Sequence, residues 1–553
     1  MDDVSPAPIS NPDGTHRHNN LSNPELHENY HITQKSLLSS LVIVIVMMSS
    51  KIINTANNMS VSIALPAIEK EFGADPSLLQ WIISVYPLTS GCLLLVLGRL
   101  ADLYGRKKVY LVGTLILTAF TLGCGFANNI VTLIILRGIQ GIGAAATIPA
   151  SLGILAHAFP PSKARSLAFA TFAAGGPVGA AFGSALGGVL TEKTSTTWRS
   201  SFYVFTAVNV VCFIGGLLCI EEDRPQLQGE DKKVDWLGAL LITAALVMIL
   251  FVLGEGENAP QRWETGYIIA LLIIGVFLTA IFLYWQWFLE KAQTHRCEQL
   301  EAMLASFGDG GEYDGQTRRG SSRWNNVLPP PIMKISLWGR EKGRFAGVMA
   351  IVFLTWCSFM SWIFWAQLYY QDYLGLNPLE TVARLIPMFV VGLLCNSFIG
   401  IMANHLSMVT ITTMGTLGTS AACLLFALID TKVTYWAFGF PAAILSVLGV
   451  DFVFTAGTLY VAKISQPHEQ SLAGALFQFM TQLGTSVGVT LSTVVFDCVT
   501  LDLNEGQDII RSYRAVQWTC CTFGICGGLL GLALFRGVGA PGKGSTEGRK
   551  GDG

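Results

Sequence analysis

The chain has 553 residues, and only 13% of them are charged while 51% are hydrophobic. Its mean hydropathy is +0.50 and its formal net charge is −2. This composition excludes an ordinary soluble enzyme, and no basic block suggests a nucleic-acid partner. The 12 cysteines fall mostly inside apolar runs without metal-ligand or paired spacing, so no metal site, disulfide framework or cofactor is expected.

Residues 1–35 are polar and predict a disordered tail. Beyond them, uncharged runs of membrane-spanning length recur along the whole chain, and in hydrocarbon such runs form helices. The sequence therefore predicts an all-α integral membrane protein. We predict fourteen spans, at 37–66, 78–100, 109–128, 130–155, 166–190, 200–220, 236–254, 266–289, 345–370, 380–403, 408–429, 434–460, 470–496 and 516–536.

An even number of spans places both termini on one side of the membrane. Lysine and arginine are about threefold more frequent in the segments on that side, which the positive-inside rule makes cytoplasmic. We expect a multi-pass protein of the plasma membrane, with the vacuolar membrane as the alternative.

The spans divide into a first six-span unit, an inserted pair, a Gly- and Pro-rich linker, a second six-span unit and a polar tail. The sequence at the end of span 2, from Gly98 to Asp102, is weakly repeated at the end of span 10, from Gly400 to Asn404. This repeat suggests that the chain is built from repeated units. The predicted boundaries are 36–220, 221–289, 290–344, 345–536 and 537–553.

The turn between spans 2 and 3 carries Gly98, Asp102, Gly105 and Arg106, followed by two lysines. The glycines permit close approach and tight turning. Asp102 and Arg106 are placed to bridge neighbouring helix ends and to act as a conformational switch. A plain positive-inside loop would explain the cations but not the glycines and the aspartate.

Two spans of the first unit carry polar residues at membrane depth. In span 1, Lys51, Asn54 and Asn58 lie on one helical stripe that should face the bundle interior or a water-filled cavity. In span 4, Arg137 and Gln140 share a face, and a charge at this depth points to function. The alternatives are a lysine that reaches the interface and an arginine that only binds a backbone carbonyl.

Span 5 has glycines at every fourth position from Gly175, namely at 175, 179, 183 and 187, together with Gly176 and Pro177. This spacing predicts a flat face for close helix packing, and the proline predicts a kink. A bent helix with such a face is suited to sliding or rocking.

In the second unit, span 12 carries Asp451, and span 9 is rich in aromatic residues. A carboxyl group in a low-dielectric setting favours its neutral form unless a cation is near, so Asp451 is a candidate proton carrier or else a structural partner. Trp356 and Phe359 lie deep in span 9 and could line an apolar substrate site, whereas its tyrosines fit an interfacial anchor.

These patterns resemble the major facilitator superfamily. The charged turn at 98–108, Arg137 with Gln140 and Gly141, and Gly176-Pro177 with Gly179 carry the resemblance, and the fourteen spans match its drug–proton antiporter branch in the fungal, aminotriazole-resistance style. The resemblance implies two six-helix bundles plus two inserted helices, and alternating access to a cavity lined by spans 1, 4, 9 and 12. Many relatives have an aspartate where this chain has Asn57, so proton coupling is expected at Asp451, with Arg137 tuning it.

The sequence thus predicts a monomeric transporter rather than an enzyme, with a small-molecule substrate, protons and the bilayer as its partners. The first hypothesis is proton-coupled efflux of amphipathic or cationic compounds such as drugs, toxins or secondary metabolites. The second is an importer or facilitator of a small polar or inorganic solute, for which Lys51 suggests an anion or a polyol.

Overall fold

A computed structural model describes residues 37–73, 76–160, 162–222, 233–256, 259–306, 329–376, 378–403, 405–466, 469–501 and 509–537. These residues form fourteen helices that are long and apolar enough to cross a membrane. In chain order, α1 to α14 are Leu37–Phe72, Pro76–Tyr104, Arg106–Gly125, Ile130–Ala158, Lys163–Lys193, Arg199–Cys219, Trp236–Glu255, Gly266–Ser306, Ser336–Leu368, Pro378–Met402, Met408–Ala427, Tyr435–Ile464, Gln470–Leu501 and Ile510–Leu534.

The all-α fold with fourteen spanning helices confirms the prediction. Local capping explains where several helices begin. The side chains of Asn129, Ser162 and Ser407 each accept a hydrogen bond from the backbone three residues on, at the starts of α4, α5 and α11. The predicted tails at 1–35 and 537–553 lie outside the described residues, apart from Gly537.

The predicted linker at 290–344 is more structured than its composition suggests. Its first part continues α8 without a break to Ser306. Its last part packs on the bundle, where Ile332, Met333 and Leu337 are buried. α9 is then interrupted at residues 340–343, where Arg340 has an extended backbone and residues 341–343 have positive φ angles, so its membrane-spanning part begins close to the predicted residue 345. The middle of the linker, at 307–328, lies outside the described residues.

The repeat seen at the ends of spans 2 and 10 corresponds to an equivalent packing in the two halves. Gly98 on α2 lies against Ala475 on α13, and Gly400 on α10 lies against Ala170 on α5. In both places a Cβ on the glycine would come 2.6 Å from the alanine Cβ. Each half therefore contributes one glycine-bearing helix to a close crossing with the other half.

The glycine face of α5 packs on α1. A side chain at Gly175 would meet the carbonyl of Met48 as well as Lys51. One at Gly179 would meet the backbone of Ile52, and one at Gly183 would meet the backbone of Ala56. The contact advances by four residues on both helices at each step, as close parallel ridges require. Gly176, on another face of α5, has open space beside it.

The two halves share a core at only one end of the bundle. At the end that carries the 98–108 turn, called the turn face below, one buried cluster includes residues of both halves, among them Leu152, Phe169, Leu472 and Phe477. At the opposite end the described residues form separate clusters, one within α1 to α6 and one within α9 to α14. The structure is therefore closed at the turn face.

Polar contacts hold the inserted helices α7 and α8 to each other and to the second half. Asp235 caps α7 and accepts hydrogen bonds from Trp285 Nε1 and Gln286 Nε2 of α8, at 3.0 and 2.8 Å. Gln286 Oε1 in turn accepts from Met333 N at 3.1 Å, in the segment that leads into α9. Nearer the opposite end, Thr490 Oγ1 of α13 donates to Leu253 O at 2.8 Å.

Against the first half, the inserted pair makes apolar contact. Phe251 stacks on Trp81 of α2 with ring centroids 5.5 Å apart. Leu250 lies beside Gly91, also on α2. The pair thus covers the junction between α2 and α13 and touches both halves.

The packing of α5 on α1 gives a stability prediction. Gly183→Ala would push a methyl group into the backbone of Ala56, and overpacking of this kind costs about 1–3 kcal/mol. We expect a lower melting temperature for this variant in scanning fluorimetry of the purified protein. Gly176→Ala is the matched control, because its methyl group meets no atom within 4 Å. Equal melting temperatures for the two variants would contradict this packing.

Candidate functional site

The predicted stripe on α1 lies on a partly buried side of that helix, away from the exposed positions Leu41, Ile45 and Met59. Lys51, Asn54 and Asn58 are partly exposed, whereas Asn57 is buried, 2% exposed, and lies off the stripe. The stripe faces the interior of the bundle, since Lys51 and Asn58 both contact other helices there.

Lys51 lies between the two halves and is surrounded by aromatic rings. Its Nζ is 6.0 Å from the ring centroid of Phe172 on α5 and 5.5 Å from that of Phe454 on α12. Phe454 in turn packs at 5.8 Å from Trp356 on α9. Lys51, Phe172, Phe454 and Trp356, which we call the aromatic site, thus bring together four helices from both halves.

Phe172 and Phe454 were not identified from the sequence. In an apolar span a phenylalanine carries no signal of its own. The available clue was position, since Phe454 lies three residues after Asp451 and Phe172 three residues before Gly175, each about one helical turn away.

The two aromatic residues predicted on span 9 are separated by the structure. Trp356 belongs to the aromatic site, but Phe359 is part of the buried cluster within the second half. Tyr369 and Tyr370 are 4% and 3% exposed, so these two rings lie inside the second half and not on its outer surface. Both pack edge-to-face against Phe426 in that same cluster.

Arg137 is fully buried and holds a polar network within the first half. Its Nε donates to the Ile82 carbonyl at 3.0 Å, and its Nη2 donates to Asn58 Oδ1 at 3.2 Å. Nη1 reaches Gln140 Oε1 at 3.5 Å, and Gln140 Nε2 donates to Thr121 at 2.6 Å. A buried guanidinium is tolerated here because each of its nitrogens has a partner.

Next to this network lies a patch of polar atoms without partners. The Tyr86 ring is 5.0 Å from the Arg137 guanidinium carbon. Tyr86 and Asn54 lie close to each other, but among the described residues Tyr86 OH and Asn54 Nδ2 have no well-aligned hydrogen-bond partner. Buried polar atoms usually find a partner, so this patch can bind water or a polar group of a ligand.

Asp451 lies at the seam where α5, α10 and α12 meet. A Cβ at Gly392 of α10 would be 2.9 Å from Asp451 Oδ2 and 3.1 Å from Pro177 Cβ of α5. The carboxyl group is 5% exposed, and its Oδ2 has no hydrogen-bond partner among the described residues.

The predicted influence of Arg137 on Asp451 is not supported by the geometry. The groups around Arg137 are Asn58, Ile82, Gln140 and Tyr86, all in the first half. Asp451 instead faces α10 and α5. The two residues are therefore not brought together in this structure.

At the turn face, Asp102 connects the halves. Its carboxylate accepts hydrogen bonds from the backbone of Ser471 at 3.1 Å and Leu472 at 2.9 Å, in the first turn of α13. Arg106 pairs with the same carboxylate at 3.3 Å. Gly105, with φ of 104°, allows the sharp break between α2 and α3 that places Arg106 there. A negative charge at a helix N-terminus is stabilised by the unpaired amides and the helix dipole.

A second link between the halves lies close by. Arg165 at the start of α5 donates from Nη2 to the carbonyl of Ala462, near the end of α12, at 3.0 Å. This hydrogen bond connects the start of α5 to the end of α12, as Asp102 connects the end of α2 to the start of α13.

We expect Asp102→Asn to favour separation of the halves at the turn face. The amide is a weaker acceptor for the α13 amides and cannot pair with Arg106, a loss of about 1–2 kcal/mol. Spin labels at exposed positions 104 and 405, read by pulsed dipolar spectroscopy, should then show a larger population at long distance. Asp430→Asn makes the same chemical change in an exposed loop and should leave the distances as in the parent protein. An unchanged distribution for Asp102→Asn would contradict the role of this contact.

Comparison with known proteins agrees with this architecture. Residues 47–489 match the family model described as Major Facilitator Superfamily. The low affinity ammonium transporter of Saccharomyces cerevisiae is 24% identical over 513 residues, covering 91% of this chain and 88% of the relative. The efflux pump terJ of Aspergillus terreus is 23% identical, covering 88% of this chain and 86% of the relative. The crystal structure of the human organic anion transporter MFSD10 has the same fold, with a TM-score of 0.61, 11% identity, and coverage of 89% of this chain and 99% of that one. The chain belongs to the Major Facilitator Superfamily and is a multi-pass membrane transporter.

Proposed function

We propose that the protein exports amphipathic small molecules, such as drugs, toxins or secondary metabolites, in exchange for protons by alternating access. The likeness to an efflux pump supports the direction. The aromatic site supports an amphipathic substrate, because flat apolar faces from both halves meet there around one polar group. Such a site can hold a substrate while the halves move around it.

The observation that carries the proton coupling is the position of Asp451. Its carboxyl group is buried at a seam between the halves and has no basic partner among the described residues. A carboxyl group in such a place binds a proton when it is shielded and releases it when the seam opens to water. The transmembrane potential supplies about 2.3 kcal/mol per charge at 100 mV, which is enough to bias such a cycle.

The charge distribution along the chain supports an orientation in the membrane. We infer that the turn face is cytoplasmic, as the positive-inside rule predicts. We also propose that the protein works as a monomer in the plasma membrane. The form described here, closed at the turn face, is then the one that releases substrate outside.

A second candidate is uptake or facilitated passage of a small polar solute. The likeness to a low affinity ammonium transporter favours it. Substrate accumulation in inside-out vesicles supports export, and accumulation in right-side-out vesicles supports uptake.

The proton coupling can be tested with Asp451→Asn. In proteoliposomes that hold a pH gradient and a pH-sensitive dye inside, added substrate should dissipate the gradient with the parent protein. The variant lacks the carboxyl group at the seam, so we expect its substrate-induced proton flux to fall to the level of empty liposomes. Asp372→Asn, an exposed carboxyl group at the end of α9, should behave as the parent does. Full proton flux in Asp451→Asn would show that protons couple elsewhere.

A further inference from the structure

The charged side chains near the interior of the bundle differ in how many polar partners they have. Arg137 has donor bonds to Ile82, Asn58 and Gln140. Lys51 has no carboxylate within salt-bridge distance among the described residues, and its ammonium group is bounded by the rings of Phe172 and Phe454. Asp451, the carboxyl group of α12, faces α10 and α5 instead.

An ammonium group in such surroundings is incompletely stabilised. Aromatic faces attract a cation, but they do not replace the hydration or the counter-charge that it loses at membrane depth. The missing partner has to come from a ligand or from water. The stem of Lys51 lies along Gly175, where no side chain competes for space, and this contact directs the head group toward Phe454.

The rings that surround Lys51 also indicate the chemical character of the rest of the ligand. Phe454 and Trp356 pack together at 5.8 Å, tilted by 43°, and belong to the second half, whereas Lys51 and Phe172 belong to the first. Phe172, Phe454 and Trp356 are buried in the form described here. When the halves move apart, a flat apolar body that lies against these rings can place an acidic group at Lys51 Nζ. A cationic ligand in the same position would face an unneutralised ammonium group.

We propose that Lys51 recognises the acidic group of the substrate, and that the substrate is therefore an organic anion with a flat aromatic body. This rests on the proposed function in that it assigns a substrate class to the same aromatic site. It excludes the cationic compounds that the sequence alone left open.

The test is a binding measurement on the full-length protein in lipid nanodiscs, without a proton gradient. Three probes share one body and differ in charge: 2-naphthoate, 2-naphthamide and 2-naphthylmethylammonium. A hydrogen bond to a charged group corresponds to about 10- to 100-fold in affinity. We expect naphthoate to bind tighter than naphthamide by such a factor, and the ammonium probe to bind weakest.

Variants at Lys51 test whether this residue causes the tighter binding of naphthoate. Lys51→Gln should abolish the advantage of naphthoate over naphthamide, while Lys51→Arg should retain it. Lys70→Gln removes an exposed lysine from the same helix and should change nothing. Retained binding of naphthamide by Lys51→Gln shows that this variant is folded.

The proposal is overturned if the ammonium probe binds tighter than naphthoate, if the preference survives Lys51→Gln, or if none of the three probes binds. Because no gradient is applied, these outcomes do not depend on proton coupling or direction. A failure of Asp451→Asn to alter proton flux would leave the anion assignment standing, and loss of the anion preference would leave the proton assignment standing.

Discussion

The carboxylate of Asp102 and the first amides of α13 determine which form of the molecule is described here. The amides at a helix start have no partner within their own helix, and a carboxylate from the other half supplies one. Arg106 shares the same carboxylate, so the charge at the contact is balanced. Around this contact the halves form one continuous buried core, and at the far end each half keeps its own. The arrangement of the interior site follows from this closure at one end.

Much of this fold could be predicted because the membrane restricts the choices. Long uncharged runs must be helices, and the four-residue spacing that includes Gly183 predicted a packing face that the structure places on α1. Arg137 and Gln140 were paired by helical spacing alone. The aromatic surroundings of Lys51 could not be predicted, because they depend on how two halves of the chain meet. In a sequence of this composition, Phe454 looks like any other apolar residue of a membrane helix.

The inserted pair shows how different kinds of contact can serve one helix hairpin. Toward the second half it is held by directed hydrogen bonds, between Gln286 and Met333 and between Leu253 and Thr490. Toward the first half it offers apolar surfaces, such as the stack of Phe251 on Trp81. Hydrogen bonds fix a register, whereas apolar contact tolerates displacement because it has little directional preference. In a rocking cycle, the hairpin is thus better suited to move with the second half and to slide along α2.

Lys51 and Asp451, which have no oppositely charged group within salt-bridge distance among the described residues, lie on either side of one turn of α5. Lys51 rests on Gly175, while Asp451 and Pro177 both flank Gly392. That turn lacks one backbone hydrogen bond because of the proline, and it has free space beside Gly176. An exchange mechanism requires that substrate and proton bias the same movable element, since coupling is a shared conformational equilibrium. A ligand that neutralises Lys51 and a proton that neutralises Asp451 would both change the forces on this turn. The geometry therefore provides a short mechanical connection between the two sites, with α5 as the element that they share.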